Sequence, residues 1–195
     1  MNWDTVVSDF VIGGLAVVDV AGRGVGPTTI TRDQFLGIVF RVLEDNVLCS
    51  IATVTPEGTA HVNTAFFAYS TALELFFLSH PASRHCRNLV NNPSVALTVF
   101  SSGQRWTQPG RGIQLFGIAE EASGSAAERA ERSYGARFPD YHTWKASLSE
   151  DDLARQYRFY RIVVNTVKVL DEETLGDALF AWATIVHPEG SPPAA

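Results

Sequence analysis

Apolar residues recur at helical spacing in the segment that begins at Thr31. Thr31 and Gln34 have the spacing of a capping box, in which each side chain bonds the backbone N–H of the other residue. The pattern predicts an amphipathic helix that begins at Thr31 and ends near Asn46. Its apolar face would consist of Phe35, Ile38, Val39, Val42 and Leu43.

After this helix the hydrophobic pattern changes to that of β-strands. Two β-rich runs, 47–54 and 59–69, flank Thr55-Pro-Glu-Gly58, a turn signal with proline at its second position, so the sequence predicts a hairpin. Four further strands are predicted at Leu73–Ser79, Ser94–Ser101, Arg111–Glu121 and Phe159 to about Leu170.

Three more helices are predicted between these strands, over Ser83–Asn91, Ala126–Arg137 and Glu150–Arg158. At least six strands, with helices between and beside them and no regular βαβ alternation, indicate a mainly β fold. We therefore expect a six- or seven-stranded antiparallel β-barrel with peripheral helices.

The two ends of the chain differ from this middle part. Residues 1–30 end in a glycine-punctuated stretch and are predicted to be an arm, which either carries one short strand or lies on a neighbour. Residues 186–195 have the composition of a disordered tail. One domain is expected over residues 31–185.

Composition and charge restrict the function. The 195 residues are 46% hydrophobic and 18% charged, as in a globular protein. The net charge is −6 and no dense Lys/Arg cluster is present, so nucleic acid is not an expected partner. The two cysteines, Cys49 and Cys86, favour a reducing compartment. The apolar run 11–20 has no basic segment before it, so we expect neither a signal peptide nor a membrane span, and a cytoplasmic location.

The most informative segment runs from an apolar strand through a turn into a helix. It supplies two hydroxyls, Ser79 and Ser83, followed by Arg84, His85 and Arg87 in the first turn of the helix. Hydroxyl donors, guanidinium groups and the N–H groups at a helix start form a compact phosphate receptor. The alternative is that Ser83 only caps the helix and the arginines are a solvated face.

Small and polar residues on the hairpin are further candidates. Asn63 shares one strand face with His61, while Thr64 lies on the other, and this polar pair either meets solvent or lines a pocket. On the preceding strand, Ser50 and Ala52 leave room for a flat ring.

A third candidate is Gln114, which lies in a strand between Gly112 and Gly117. Glycines inside a strand mark a bulge or the close approach of a ligand or another backbone. The alternative is a bulge at a barrel corner with Gln114 exposed. The five histidines show no zinc-type spacing, and no GxSxG, Walker A or GxGxxG pattern occurs.

Together these segments resemble the FMN-binding split-barrel superfamily typified by pyridoxamine phosphate oxidase. The matching motifs are Val62-Asn-Thr-Ala-Phe66, Leu78-Ser-His-Pro-Ala-Ser-Arg-His85 with its following Asn-Asn-Pro, and Arg111-Gly-Ile-Gln-Leu-Phe-Gly117. Tyr134-Gly-Ala-Arg-Phe-Pro139 and Thr174-Leu-Gly176 resemble a small uncharacterised bacterial branch of it.

The resemblance implies a split β-barrel that binds FMN at a homodimer interface. The flavin phosphate would meet Ser83, Arg84 and His85, with Ser79 nearby. The ring would lie against Ser50–Thr53, including Thr53 itself, and against Asn63–Ala65, including Thr64. Gln114 would come from the partner subunit or from the facing strand.

Two departures from the family pattern matter. Many members have Arg-Lys where this chain has Arg84-His85, so a permanent cation is replaced by one that is only partly charged at neutral pH. A deazaflavin is therefore an alternative ligand. The arginine and histidine contacts that would recognise pyridoxal phosphate are not found, and vitamin B6 oxidation is not predicted.

The leading hypothesis is an FMN-dependent oxidoreductase that acts as a homodimer on a small-molecule substrate, with no catalytic residue assigned. One alternative is a non-enzymatic flavin or haem binder, with His61, His80 or His85 as the axial haem ligand. Another is a barrel without cofactor that serves as a scaffold or as a specialised non-flavin enzyme. In that case Trp106, Tyr134, Phe138, Tyr141 and Trp144 either line an apolar pocket or belong to core or dimer contacts.

Overall fold

The computed structural model describes residues 10–26 and 30–188 of the chain. All eight strands join one antiparallel sheet. They are β1 (Val11–Val18), β2 (Leu48–Val54), β3 (Ala60–Tyr69), β4 (Glu74–Ser79), β5 (Ser94–Phe100), β6 (Arg111–Glu121), β7 (Arg158–Asp171) and β8 (Phe180–Val186). The helices are α1 (Arg32–Asp45), α2 (Arg84–Asn91), α3 (Gly124–Arg137), α4 (Tyr141–Ser147) and α5 (Glu172–Leu175).

Six of the strands close into a barrel, which confirms the predicted fold class. The sheet order is β1-β8-β7-β4-β3-β2-β5-β6, and β6 pairs again with β7. The first half of β7 pairs with β4 and its second half with β8, while β6 runs along its other edge. The barrel is therefore split at β7, where β8 and β1 extend the sheet outward.

Gly117 allows the closing strands to approach each other. The register of β6 on β7 shifts between Phe116 and Gly117. A Cβ atom at Gly117 would lie 2.1 Å from the carbonyl oxygen of Val163, so no other residue fits without backbone movement. The sequence left open a bulge or the close approach of another backbone at this glycine, and both are present, with Asn165 of β7 as the extra residue of the bulge.

Helix α1 packs its apolar face onto the barrel. The Thr31 hydroxyl accepts from the Gln34 N–H and the Gln34 carboxamide accepts from the Thr31 N–H, so the predicted capping box is present. Burial of each large apolar side chain stabilises the fold by about 1.5–3 kcal/mol. The side chains of this face that are no more than 4% exposed are Phe35, Leu36, Ile38, Val39, Val42 and Leu43.

An ion network fastens α3 to the barrel wall. Glu74, 5% exposed, accepts from Arg129 at 3.0 Å and from Arg161 at 2.6 Å. Arg161 also donates to Glu120 at 3.2 Å. Hydrogen bonds and positive charges from Arg129 and Arg161 outweigh the opposing effect of burial and lower the pKa of Glu74. The network holds α3 against β4 and β7.

Three features depart from the sequence prediction. The predicted helix Glu150–Arg158 is wrong, because only a 3-10 turn forms at Leu153–Gln156 and Leu153 is 69% exposed, so no buried face supports a helix. Helix α4 was not predicted, since its seven residues are held by tertiary contacts of Tyr141. Strand β8 was also missed, although its buried Ala181, Ala183 and Ile185 alternate with exposed residues.

The ends of the chain are described only in part. Strand β1 lies inside the predicted arm 1–30 and pairs with β8. Most of the predicted disordered tail, residues 189–195, lies outside the described residues, as do residues 1–9 and 27–29. No helix in the described part of the chain is long and apolar enough to span a membrane.

Candidate functional site

A cavity of about 490 Å³ lies where β3 and the end of β4 meet the start of α2 and the pair α3–α4. We call it the aromatic cavity. Its walls combine the polar strand-turn-helix segment on one side with a cluster of rings on the other. It is lined by Leu48, Asn63, Thr64, Ala65, Phe66, Leu78, Ser79, His85, Tyr134, Phe138, Asp140, Tyr141, Trp144 and Tyr157.

Two hydroxyls and an imidazole meet at the polar end of this cavity. The Oγ atom of Ser79 lies 2.7 Å from Nε2 of His85 and 3.3 Å from Oγ of Ser83. The Ser83 hydroxyl lies 3.1 Å from the same imidazole nitrogen and caps α2 by accepting from the Cys86 N–H at 3.4 Å. The capping role of Ser83 and its place beside the cavity are therefore both present.

Helix α2 is positioned by a buried polar contact with β2. The Asn88 carboxamide donates to the hydroxyl of Thr53 at 2.9 Å, and both side chains are buried. The first turn of the helix, with its unpaired N–H groups, is thereby held at the mouth of the cavity. Thr53 itself is 1% exposed and points into the protein, away from the cavity lining.

Burial and a neighbouring ring keep His85 neutral. Burial lowers the pKa of His85, and the charge of His61 lowers it further. The two imidazole rings are nearly parallel, with an interplanar angle of 8° and centroids 6.4 Å apart. In the free protein, the group at this position is therefore a neutral polar ring rather than the permanent cation of a lysine.

Arg84 supplies a permanent cation at the start of α2. Its side chain is exposed, and so is that of Arg87 in the same helix. The pKa of Glu57 is lowered mainly by a hydrogen bond from Thr55 and to a smaller extent by the charge of Arg84. Arg84 does not line the cavity, but it directly precedes His85, which does.

Asn63 lines the cavity and has a buried acceptor atom without a donor in the described chain. Its Oδ1 atom is buried and finds no hydrogen-bond donor among the described residues, although the residue lines the cavity wall. A buried acceptor without a donor costs about 1–3 kcal/mol. Such an atom marks a place where a ligand with an N–H or O–H group gains a hydrogen bond.

Helices α3 and α4 form the aromatic wall. Tyr134, whose pKa is raised by burial, donates its hydroxyl to the backbone oxygen of Phe66 at 2.6 Å. Phe138, one helical turn later, packs edge-on against Phe66 with centroids 5.8 Å apart. Of the aromatic residues singled out in the sequence, Tyr134, Phe138, Tyr141 and Trp144 line the cavity. Trp106 instead lies in loop 101–110 and is fully exposed.

Ser50 and Gln114 lie outside the cavity on the neighbouring outer face of the barrel. Both line a shallow groove of about 350 Å³ over β2, β5 and β6. The strand register pairs Thr64 with Ser50, Ser50 with Thr98, and Thr98 with Gln114, so one row runs from the cavity to the groove. Thr64 therefore connects the two surfaces.

The structure thus brings together part of the predicted set. Asn63, Thr64, Ser79 and His85 line the aromatic cavity, and Ser83 is bonded to two of them. Arg84 does not line it. Leu78, Asp140 and Tyr157 line the cavity but were not predicted as site residues. Asp140 precedes α4 and Tyr157 follows the 3-10 turn, two elements that local patterns did not predict. No group of three or more metal-ligating side chains occurs in the described residues.

Comparison with known proteins agrees with this fold. The sequence model of a family described as pyridoxamine 5'-phosphate oxidase matches residues 39–171. No curated protein matches the chain.

Several solved structures share the fold at low identity. A heme binding protein from Mycobacterium smegmatis has a TM-score of 0.63 at 15% identity, over 80% of this chain and 60% of that chain. A conserved hypothetical protein from Mycobacterium tuberculosis has a TM-score of 0.59 at 17% identity, over 89% of this chain and 98% of that one. A FAD-binding protein from Mesorhizobium loti has a TM-score of 0.52 at 16% identity, over 87% and 98% of the two chains.

Proposed function

Because this chain belongs to the pyridoxamine 5'-phosphate oxidase family, we propose that it binds FMN in the aromatic cavity and acts as an FMN-dependent oxidoreductase. The observation that carries the proposal is the buried Oδ1 atom of Asn63, which lacks a donor beside the Ser79, Ser83 and His85 cluster. The ribityl hydroxyls and the ring N–H of a flavin are donors of the kind that this atom requires.

The polar end of the cavity fits the phosphate of FMN. The hydroxyls of Ser79 and Ser83 and the first N–H groups of α2 are hydrogen-bond donors, and Arg84 adds a positive charge in the first turn of α2. His85 strengthens this set when it takes up a proton. The net charge of −6 repels a phosphate at long range, so these local groups have to provide the attraction.

The aromatic end of the cavity fits the flat ring system. A volume of about 490 Å³ is within the range of pockets that enclose small ligands. Tyr134, Phe138 and Trp144 provide apolar surface for a flat ring, and α3 and α4 exclude water from one side of it. Bound FMN would supply hydride chemistry, while these residues bind and orient it.

A homodimer is part of the proposal. Val62, Phe66 and Leu48 on the outer face of the barrel are 62%, 57% and 45% exposed, next to the groove that holds Ser50 and Gln114. An apolar face of this kind is typical of an interface. A second copy on this face would bring its Gln114 and Ser50 toward the flavin. Cys49 and Cys86 are buried and free, which favours the cytoplasm.

Haem is the second candidate, and one observation favours it. His85 is a neutral imidazole inside an aromatic cavity, and a neutral ring is the form that binds iron. The M. smegmatis structural relative is a heme binding protein, and the M. loti relative binds FAD. The Nε2 atom of His85 already bonds two hydroxyls, and a metallated macrocycle has no donor for Asn63. A flavin, or a deazaflavin, therefore fits this chain better than haem.

Titration of the purified chain with FMN, riboflavin and hemin, followed by flavin fluorescence and Soret absorption, tests the proposal. We expect FMN to bind more tightly than riboflavin. Arg84→Glu should weaken FMN binding about tenfold or more with little effect on riboflavin, and Arg41→Glu, on the exposed surface of α1, is the matched control. Exclusive binding of hemin, or of none of these ligands, would contradict the proposal.

A further inference from the structure

A second cavity, of about 380 Å³, lies directly beside the aromatic cavity. It is enclosed by α3, α4, the 3-10 turn 153–156 and the start of β7. The two cavities have a common wall formed by Leu78, Tyr141, Trp144 and Tyr157. A molecule in the second cavity would therefore be separated from the aromatic cavity by only one layer of side chains.

Two arginines in this second cavity have no ion-pair partner among the described residues. Arg155 donates only to the backbone oxygen of Leu148, at 3.2 Å. Arg158 donates only to the backbone oxygens of Arg155 and Tyr157, at 3.4 Å and 3.0 Å. A guanidinium has five N–H donors, so both keep donors for another acceptor.

Glu131 and Lys145, the other charged residues that line this cavity, bind each other. Lys145 binds Glu131 at 2.8 Å, and Tyr141 donates to the same carboxylate at 2.9 Å. Asp152 accepts from the N–H and hydroxyl of Ser149, which lower its pKa together with a smaller contribution from the charge of Arg155. Asp152 makes no ion pair with Arg155 within 4.0 Å in the described chain. Arg155 and Arg158 therefore keep N–H donors that no carboxylate in the described chain accepts, although the charge of Asp152 interacts with Arg155.

The rest of the cavity is apolar. Trp144 and Tyr157 are each 38% exposed, and Leu148 and Ala154 line the same space. This combination of two free guanidinium groups and exposed rings suits a ligand with an anionic end and an apolar or aromatic body.

We propose that this second cavity binds a small organic anion, with its charged end at Arg155 and Arg158 and its apolar body against Trp144 and Tyr157. The four side chains of the common wall would stand between this anion and a flavin in the aromatic cavity, so the anion is a second ligand beside the oxidoreductase site proposed above and not the partner in hydride transfer, which needs direct contact with the ring. Binding of the anion itself does not depend on that function.

Calorimetric titration with 2-naphthoate and its neutral analogue 2-naphthamide tests the proposal, on the full chain with and without saturating FMN. The wild-type chain should bind the carboxylate about tenfold or more tightly than the amide, under both conditions. The double variant Arg155→Gln/Arg158→Gln should bind both equally. The double variant Arg32→Gln/Arg41→Gln removes the same two positive charges, but from the exposed surface of α1. It should keep the wild-type preference for the carboxylate over the amide. Arg155→Lys/Arg158→Lys should retain part of it.

Equal binding of the two compounds to the wild-type chain would overturn the proposal, and so would an undiminished preference in the Arg155/Arg158 glutamine variant. Loss of naphthoate binding on addition of FMN would place the probe in the aromatic cavity and also overturn it. A chain that binds naphthoate selectively but never binds FMN would keep this site and refute only the cofactor proposal. Circular dichroism of each variant checks that it is folded.

Discussion

The Oγ atom of Ser79 lies 2.7 Å from Nε2 of His85, so the last residue of β4 is bonded to the first turn of α2. Ser83 joins the same pair from the turn between them. Three polar groups are thereby fixed at one end of an otherwise aromatic cavity before any ligand arrives. The preorganised cluster reduces the ordering cost of binding a phosphate there.

The protonation of His85 should couple FMN affinity to pH. Its pKa is lowered in the free protein by burial and by the charge of His61, and a bound phosphate would favour the imidazolium. FMN binding should therefore strengthen as the pH falls from about 8 to about 6, with proton uptake. His85→Lys should bind FMN about tenfold more tightly at the higher pH and lose most of this dependence. Fluorescence titrations at several pH values measure both effects.

Riboflavin, which lacks the phosphate, is the control for this prediction. Its affinity should vary little over the same pH range. Without ligand, the lowered pKa of His85 means that the folded state binds protons less readily than the unfolded chain, so stability should fall as the pH drops below about 6.5. An FMN affinity that is independent of pH in the wild-type chain would remove His85 from the phosphate site.

Asn63 should matter for binding and hardly at all for folding. Because its Oδ1 atom is buried without a donor, Asn63→Leu should leave the free energy of unfolding unchanged or raise it slightly. FMN affinity should fall about tenfold, since a hydrogen bond to the ligand is lost. Thermal melts and FMN titrations of the variant separate these effects. Asn165→Leu, at an exposed position of β7, should change neither.

Substitution of Glu74 should weaken the attachment of α3 to the barrel. Glu74→Gln leaves the buried Arg161 without its closest carboxylate and should cost about 3 kcal/mol of unfolding free energy. The pKa of Glu74 is lowered in the folded protein, so its contribution is full above the ordinary pKa of a glutamate and is lost as the pH falls through the folded value. The variant should therefore show a weaker loss of stability on acidification than the wild-type chain.

Denaturant unfolding at several pH values between about 3 and 7 tests this prediction. Glu128→Gln removes the same charge from an exposed position of α3 and is the matched control. Equal stability of the Glu74 and Glu128 variants would show that the network does not fasten the helix.

If the chain forms the proposed homodimer, lysine substitutions at two exposed valines should affect dimerisation differently. Val62→Lys places a charge in the centre of the apolar outer face and should convert the dimer to a monomer in sedimentation analysis. Val90→Lys, on α2 and 87% exposed, should leave the dimer intact. A wild-type chain that sediments as a monomer at micromolar concentration would contradict the dimer, and so would a dimer that Val62→Lys leaves unaffected.

Local patterns predicted most of the fold because the relevant information lies in short segments. The capping box of α1 and the β2–β3 hairpin each depend on a few neighbouring residues, and both are present. The bulge opposite Gly117 depends on the pairing of β6 with β7, and in the sequence only the glycine marked it. Helix α4 and the 3-10 turn 153–156 could not be predicted from the sequence, because tertiary contacts rather than periodicity determine them. Strand β8 shows a clear alternation, so its omission was an error of interpretation.

The kinds of residue that form the candidate site could be predicted from the sequence, but their positions relative to one another could be predicted only in part. The segment from Ser79 to His85 is compact in sequence, and its members meet in space. Ser50 and Gln114 lie on a different surface, because strand register and barrel closure decide which faces meet. The lowered pKa of His85 comes mainly from burial and to a smaller extent from His61, 24 residues away in the chain, and no local pattern reveals either.

The absorption spectrum of protein purified from its native host, with mass spectrometry of the released cofactor, tests the central claim most directly. Bound FMN in the wild-type chain, with much less retained by Asn63→Leu, is the predicted result. A deazaflavin would keep the aromatic cavity as a cofactor site and change the redox chemistry proposed for it. A Soret band, or protein that carries no cofactor and takes up no added FMN, would contradict the account.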